Sequence, residues 1–77
     1  MDSILTKYYE DRFEMFSSKG WKDLIEDLTN MKQTTSDINN YNDGNQLWKA
    51  KGEVNIINWL LNLEELTKEA YEGLKDN

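Results

Sequence analysis

The feature that most constrains the fold of this chain is a long apolar run from Leu47 to Leu63, reading LWKAKGEVNIINWLLNL. The chain has 77 residues and contains no proline, so nothing in this run forbids a helix. On a helical wheel at about 100° per residue, the apolar side chains of the run fall on two sides of the helix. A helix that is apolar on two sides must be covered on both, by the rest of the chain or by another molecule.

The first apolar face follows the alternating three- and four-residue spacing of helix-on-helix packing. Its members are Leu47, Ala50, Val54, Ile57 and Leu61. The second face lies across the helix and continues beyond the run. Its members are Ile56, Trp59, Leu60, Leu63, Leu66, Ala70 and Leu74. The first face ends where the second continues, so the buried side of this segment is predicted to change near Asn62.

Two structures fit this change of side. One is a single helix, unbroken or mildly kinked, that packs against different neighbours at its two ends. The other is a pair of helices in which Asn62 caps the second helix and Glu65 closes a capping box. The absence of proline favours the first structure, because asparagine alone breaks helices only weakly.

A polar strip containing Asn55 and Asn58 separates the two apolar faces. The simplest interpretation is a solvated face, and the alternative is that these amides hydrogen-bond a partner, since uncharged groups cost less to bury than charged ones. Gly52 also lies within the predicted helix, where glycine costs about 1 kcal/mol relative to alanine. Its expected benefit is the close approach of another helix. The predicted partner-binding residues are Trp48, Ile56, Trp59, Leu60, Leu63, Asn55 and Asn58.

The remaining sequence predicts two further helices, at 3–17 and 19–36, and a turn-rich connection before a long third helix at 44–74. Predicted N-caps are Asp2 or Ser3, Ser18, and Asp43 with Gln46 completing a capping box. The first helix carries an aromatic stripe of Leu5, Tyr9, Phe13 and Phe16, widened by Ile4, Tyr8 and Met15, and this stripe is expected to be core. The predicted fold is a single small all-α domain spanning 1–77, either a three-helix bundle or a helical hairpin.

The composition excludes several kinds of functional site. The chain has no cysteine and no histidine, which removes disulfides, Cys or His zinc sites and the commonest catalytic base. An EF-hand register with Gly44 at the glycine position places Tyr41 and Ala50 where oxygen ligands are required, so no calcium loop is predicted. The sequence also contains no recognisable arrangement of catalytic residues. We therefore predict a non-enzyme without cofactor or metal.

The net charge of −6 argues against a nucleic-acid partner, which would favour a basic surface. No apolar run reaches the roughly 20 residues that span a bilayer, so no membrane partner is predicted. A domain this small has a narrow margin of stability and often depends on a second chain for support. A protein partner or a homo-oligomer is therefore expected.

Two segments share a pattern with other sequences: GWKDLIEDL at 20–28 fits G-W-K-x-L-x-x-x-L, and KGEVNIINWLL at 51–61 fits K-G-x-x-x-I-[IL]-x-W-[IL]-L. On these segments the chain resembles a group of small uncharacterised proteins of tailed bacteriophages. The resemblance implies a phage protein located in the host bacterial cytoplasm or in the virion, and it implies no catalytic or binding residue. The expected function is a helical interaction module of the virion or its assembly. The alternative is a small acidic factor that binds a host polymerase or nuclease.

Overall fold

A computed structural model describes residues 2–75, and for Ile38 it describes the backbone alone. Within those residues the chain forms α-helices and no strand, which confirms the predicted all-α fold. The helices are α1 (Ser3–Phe16), α2 (Lys19–Thr35), α3 (Gly44–Leu61) and α4 (Leu63–Lys75), with a short 3₁₀ turn at Ile38–Asn40. The ends of the domain predicted for 1–77 lie outside the described residues.

The helices form a hairpin of two arms. The first arm is α1 followed by α2, and the second arm is α3 followed by α4. α2 packs along α3 in the most extensive helix contact, and α1 packs on α4. Each helix thus has one long neighbour in the opposite arm. The radius of gyration is 16.5 Å, against roughly 11–12 Å for a compact domain of this length. The hairpin is therefore elongated and thin, and in it the first two helices pack on the 44–74 segment that was predicted as the third helix.

Local hydrogen bonds explain where three of the helices begin. Leu5 N–H donates to Asp2 Oδ1 over 2.7 Å, Trp21 N–H donates to Ser18 Oγ over 3.2 Å, and Gln46 N–H donates to Asp43 Oδ1 over 2.8 Å. These bonds satisfy backbone donors that lack a partner within the helix. The Gln46 side chain accepts from Asn42 N–H rather than from Asp43 N–H, so the predicted capping box is formed one residue early.

The cap at Ser18 has a matched neighbour for a test. We expect Ser18→Ala to lower the free energy of unfolding by about 1 kcal/mol, because Trp21 N–H loses its acceptor. Ser17→Ala is the control, since Ser17 Oγ only donates to the carbonyls of Phe13 and Glu14, and it should change stability by less than about 0.5 kcal/mol. Urea unfolding followed by circular dichroism measures both. Equal losses in the two variants would contradict the capping role.

The helix predicted for 44–74 is divided into α3 and α4 by the single residue Asn62. Both the backbone N–H and the side-chain amide of Asn62 donate to the Asn58 carbonyl, over 3.1 and 2.7 Å, and Leu66 N–H donates to the Asn62 carbonyl. The Asn62 side chain therefore bonds backwards to α3 instead of forming the capping box with Glu65. α3 buries Ile57 and α4 buries Thr67, positions about a quarter turn apart on a continuous helix. The break lets each half face its own neighbour.

The core is small and rich in aromatic rings. Its buried apolar residues are Tyr9, Phe16, Trp21, Leu28, Ala50 and Ile57. The Phe16 and Trp21 rings lie 5.0 Å apart, and Tyr71 of α4 lies 5.4 Å from both Tyr9 and Phe13. Within residues 2–75 no side chain is completely enclosed. The three residues expected to widen the core stripe of α1 are instead exposed: Ile4, Tyr8 and Met15. That part of the prediction is wrong, because α4 covers only the Tyr9 side of α1.

The two arms are interrupted at the same level. Phe16 and Trp21 flank the Ser17–Ser18 break of the first arm, and Leu61 and Glu64 flank the Asn62 break of the second arm. All four residues line one shared cleft. The α1–α4 pair and the α2–α3 pair therefore meet at a single junction, which the buried ring of Phe16 fills.

Candidate interaction surface

The face of α3 that points away from α2 is apolar and uncovered. We call it the α3 outer stripe; it consists of Trp48, Gly52, Ile56 and Trp59. These positions fall within roughly 80° of arc on a helical wheel, opposite the buried residues Ala50 and Ile57. Trp48 is 72% exposed, Ile56 is 62% exposed and Trp59 is 54% exposed. Because α2 is the only long neighbour of α3 among the described residues, no helix packs along this stripe, and α1 approaches it only at Trp59.

Gly52 lies in the middle of the outer stripe. A Cβ atom placed on Gly52 would have no neighbour within 4 Å. The close approach of another helix that the sequence predicted at Gly52 is therefore not made within this chain. The glycine leaves a gap between the large side chains of Trp48 and Ile56, one turn away on either side.

A second exposed apolar region adjoins the stripe at the start of α4. We call it the Trp59 groove; it is lined by Tyr8, Tyr9, Arg12, Trp59, Leu63, Leu66, Thr67 and Ala70. Arg12 and Tyr8 contact each other on the α1 side of the groove. The Arg12 guanidinium donates to the Tyr8 hydroxyl over 2.9 Å and lies 5.2 Å from the Tyr8 ring centroid. The groove and the outer stripe meet at Trp59, so the apolar surface is continuous from α3 to α4.

The structure places the predicted partner-binding residues in two groups. Trp48, Ile56 and Trp59 lie together on the outer stripe, and the exposed Asn55 borders it. Leu60, Leu63 and Asn58 are half-buried. Leu63 lines the groove, and the backbone carbonyl of Asn58 accepts the two bonds from Asn62.

Sequence reasoning missed six residues of the groove as parts of a candidate site. These are Tyr8, Tyr9, Arg12, Leu66, Thr67 and Ala70. Leu66 and Ala70 continue the second apolar face and were detectable from that signal. Tyr8 and Arg12 come from α1, and only the packing of α1 on α4 brings them beside Trp59.

Polar groups around the stripe are sparse. Lys51 Nζ lies 5.2 Å from the centroid of the Trp48 ring, a cation–π distance. Along its length α3 carries Lys49, Lys51 and Glu53 as its charged residues, a net charge of +1 in a chain of net charge −6. The outer stripe is thus a locally neutral to basic surface on an acidic protein.

The described residues contain no cluster of three or more His, Cys, Asp or Glu side chains able to hold a metal ion. Among those same residues, no helix combines the length and apolar character needed to cross a bilayer. The stripe and the groove are exposed apolar surfaces, and surfaces of this kind are typical of contacts with other macromolecules.

The exposed area is large for a chain of this size. The chain exposes 6022 Å², whereas a folded monomer of 9.1 kDa is expected to expose about 4,900 Å². The excess of roughly 1,100 Å² compares with about 800 Å² that each partner contributes to a standard protein interface. One further contact of ordinary size would therefore bring the chain to a normal degree of burial.

Comparison of the chain with protein-family models, with curated proteins and with solved structures finds no match.

Proposed function

We propose that this chain is a non-enzymatic helical protein–protein interaction module of a bacteriophage, acting as a component of the virion or of its assembly. The observation that carries the interaction role is the outer stripe, where two tryptophans and an isoleucine are more than half exposed on one helix face. Exposed apolar patches of this kind mark interaction sites, and tryptophan is enriched among residues that dominate binding energy. The phage assignment is supported by the resemblance of the 20–28 and 51–61 segments to small uncharacterised proteins of tailed bacteriophages.

The hairpin suits an assembly component for a physical reason. A thin protein with one long neighbour for each helix leaves the far side of every helix free to pack on other chains. Removing that apolar surface from water favours association in proportion to the area buried. A protein with this role would be located in the host bacterial cytoplasm or in the virion.

The test is mass spectrometry of purified virions of the phage that encodes the chain, after a wash in high salt. We expect the protein to remain with the virions, because apolar contacts are not weakened by screening of charge. Absence of the protein from virions and from their assembly intermediates would overturn the structural role.

A second candidate is a small acidic factor that occupies a basic surface on a host polymerase or nuclease. The net charge of −6 favours it, since acidic surfaces steer association with basic partners. The salt dependence expected for this candidate is the opposite: binding to the host protein would be lost as ionic strength rises. Capture from host lysate at low and high salt therefore separates the two candidates.

A further inference from the structure

We propose that the partner of the α3 outer stripe is a second copy of this chain, related by a two-fold axis that crosses the stripe at the level of Val54 and aligns the two α3 helices antiparallel. This inference deepens the proposed interaction role and rests on it. It names the partner, the face and the register. Three properties of the described residues lead to it: area, symmetry of the stripe and local charge.

The chain has enough uncovered surface for one further interface. The excess exposure of roughly 1,100 Å² over a monomer of this mass exceeds the per-chain share of a standard interface, about 800 Å². A two-fold dimer, the commonest oligomer of soluble proteins, removes the same area from each copy with a single contact. The excess is summed over the whole chain, and the outer stripe is the part of it that this contact would cover.

Large and small side chains follow one another along the stripe in a nearly symmetric order. Gly52 and Ile56 lie two residues on either side of Val54, and Trp48 and Trp59 lie six residues before and five after it. A two-fold axis that crosses the stripe at the level of Val54 therefore sets Ile56 of each copy over Gly52 of the other. The gap at Gly52, which has nothing within 4 Å of a Cβ position, receives a side chain. Trp48 of each copy then meets Trp59 of the partner copy. The stripe is complementary to itself.

The distribution of charge favours α3 as the place where two acidic chains approach each other. Two copies of net charge −6 repel each other. α3 carries Lys49, Lys51 and Glu53, whereas α4 carries Glu64, Glu65, Glu69 and Glu72 against Lys68 and Lys75. Contact along α3 keeps the acidic α4 helices away from the centre of the interface. The apolar stripe, bordered by the uncharged Asn55, is therefore the face on which self-association meets least repulsion.

Sedimentation equilibrium of the full chain over a wide range of concentrations tests the dimer. We expect a monomer–dimer equilibrium that is weakened by about 30-fold in Gly52→Gln, because a long side chain fills the gap that receives Ile56. Gly20→Gln is the matched control: Gly20 is also an exposed helical glycine with open space around it, and it lies on the other arm. It should leave the equilibrium unchanged. Circular dichroism checks that both variants are folded.

The register has its own test, because the chain contains no cysteine. Asn55→Cys should form a disulfide between copies under mild oxidation, since position 55 lies beside the two-fold axis and faces its counterpart. Asn45→Cys is the control on the same helix. In the antiparallel register its two copies are separated by roughly 27 Å along the helix axis, too far for a disulfide.

Each outcome is decisive. A chain that stays monomeric at all concentrations, a dimer insensitive to Gly52→Gln, or cross-linking of Asn45→Cys but not of Asn55→Cys would overturn the inference. The proposed function fails separately, through absence of the protein from virions and their assembly intermediates. A monomer that is found in virions refutes the dimer alone, and a dimer that is absent from virions refutes the virion role alone.

Discussion

Replacing Phe16 with alanine is expected to lower the free energy of unfolding by about 3–5 kcal/mol. Phe16 is only 4% exposed, its ring lies 5.0 Å from that of Trp21, and it fills the junction where the breaks of both arms meet. A domain of 77 residues has a total stability of roughly 4–12 kcal/mol. One substitution would therefore remove a large part of it, because the core offers few other buried contacts to close the cavity.

Urea unfolding followed by circular dichroism measures this loss. The matched control is Ile4→Ala, on the same helix but at a side chain that is 83% exposed, for which the expected change is below about 0.5 kcal/mol. Phe16→Leu provides a milder variant if Phe16→Ala does not fold, and its loss should be smaller because most of the volume is kept. Similar effects of Phe16→Ala and Ile4→Ala would contradict the junction described here.

The second large effect is expected on association rather than on stability. Trp48→Ala should weaken self-association by about 30-fold, the change that corresponds to a hot-spot residue of about 2 kcal/mol. The stability of the isolated chain should change by less than about 1 kcal/mol. The reason is that Trp48 is 72% exposed and makes a cation–π contact with Lys51. Such a contact at an exposed site contributes about 0.5–1 kcal/mol to stability.

The control for Trp48 is Met31→Ala. Met31 is a large apolar side chain of α2 that is 54% exposed, and it lies on the first arm, away from the stripe. Sedimentation equilibrium compares the dimer dissociation constants, and thermal unfolding at low concentration compares the isolated chains. If Met31→Ala weakened association as much as Trp48→Ala, the effect would be general surface hydrophobicity rather than a contact on the outer stripe.

Salt provides an independent check on both proposals. Association through an apolar stripe between two chains of charge −6 should strengthen as ionic strength rises, because screening reduces their mutual repulsion. Binding of an acidic chain to a basic host protein should weaken under the same change. The sign of the salt dependence thus distinguishes the apolar interface from the electrostatic one.

Much of the fold was predictable because its determinants are local. The predicted helices 3–17 and 19–36 end within one residue of α1 and α2, and the N-caps Asp2, Ser18 and Asp43 accept the hydrogen bonds expected of them. A cap and an apolar period are properties of a few neighbouring residues. They are therefore readable without knowledge of distant contacts.

The candidate site was only partly predictable. The exposure of Trp48, Ile56 and Trp59 followed from the two-sided helix, because a hairpin covers only one of its sides. The contribution of Tyr8 and Arg12 to the Trp59 groove did not, since the pattern of α1 predicted both Tyr8 and Tyr9 in the core. The contact of Tyr71 with Tyr9, and not with Tyr8, makes that choice.

The sequence by itself determined that the chain is helical, where α1, α2 and α3 begin, and that residues 47–63 carry more apolar surface than one neighbour can cover. Only the tertiary structure decided that α2 covers the Ala50–Ile57 side, that the segment divides at Asn62, and that α1 joins α4 to form the groove. The physical reason is the range of the interactions. Caps and helical periods act within one or two turns, whereas the choice between two apolar faces depends on which distant helix packs against them.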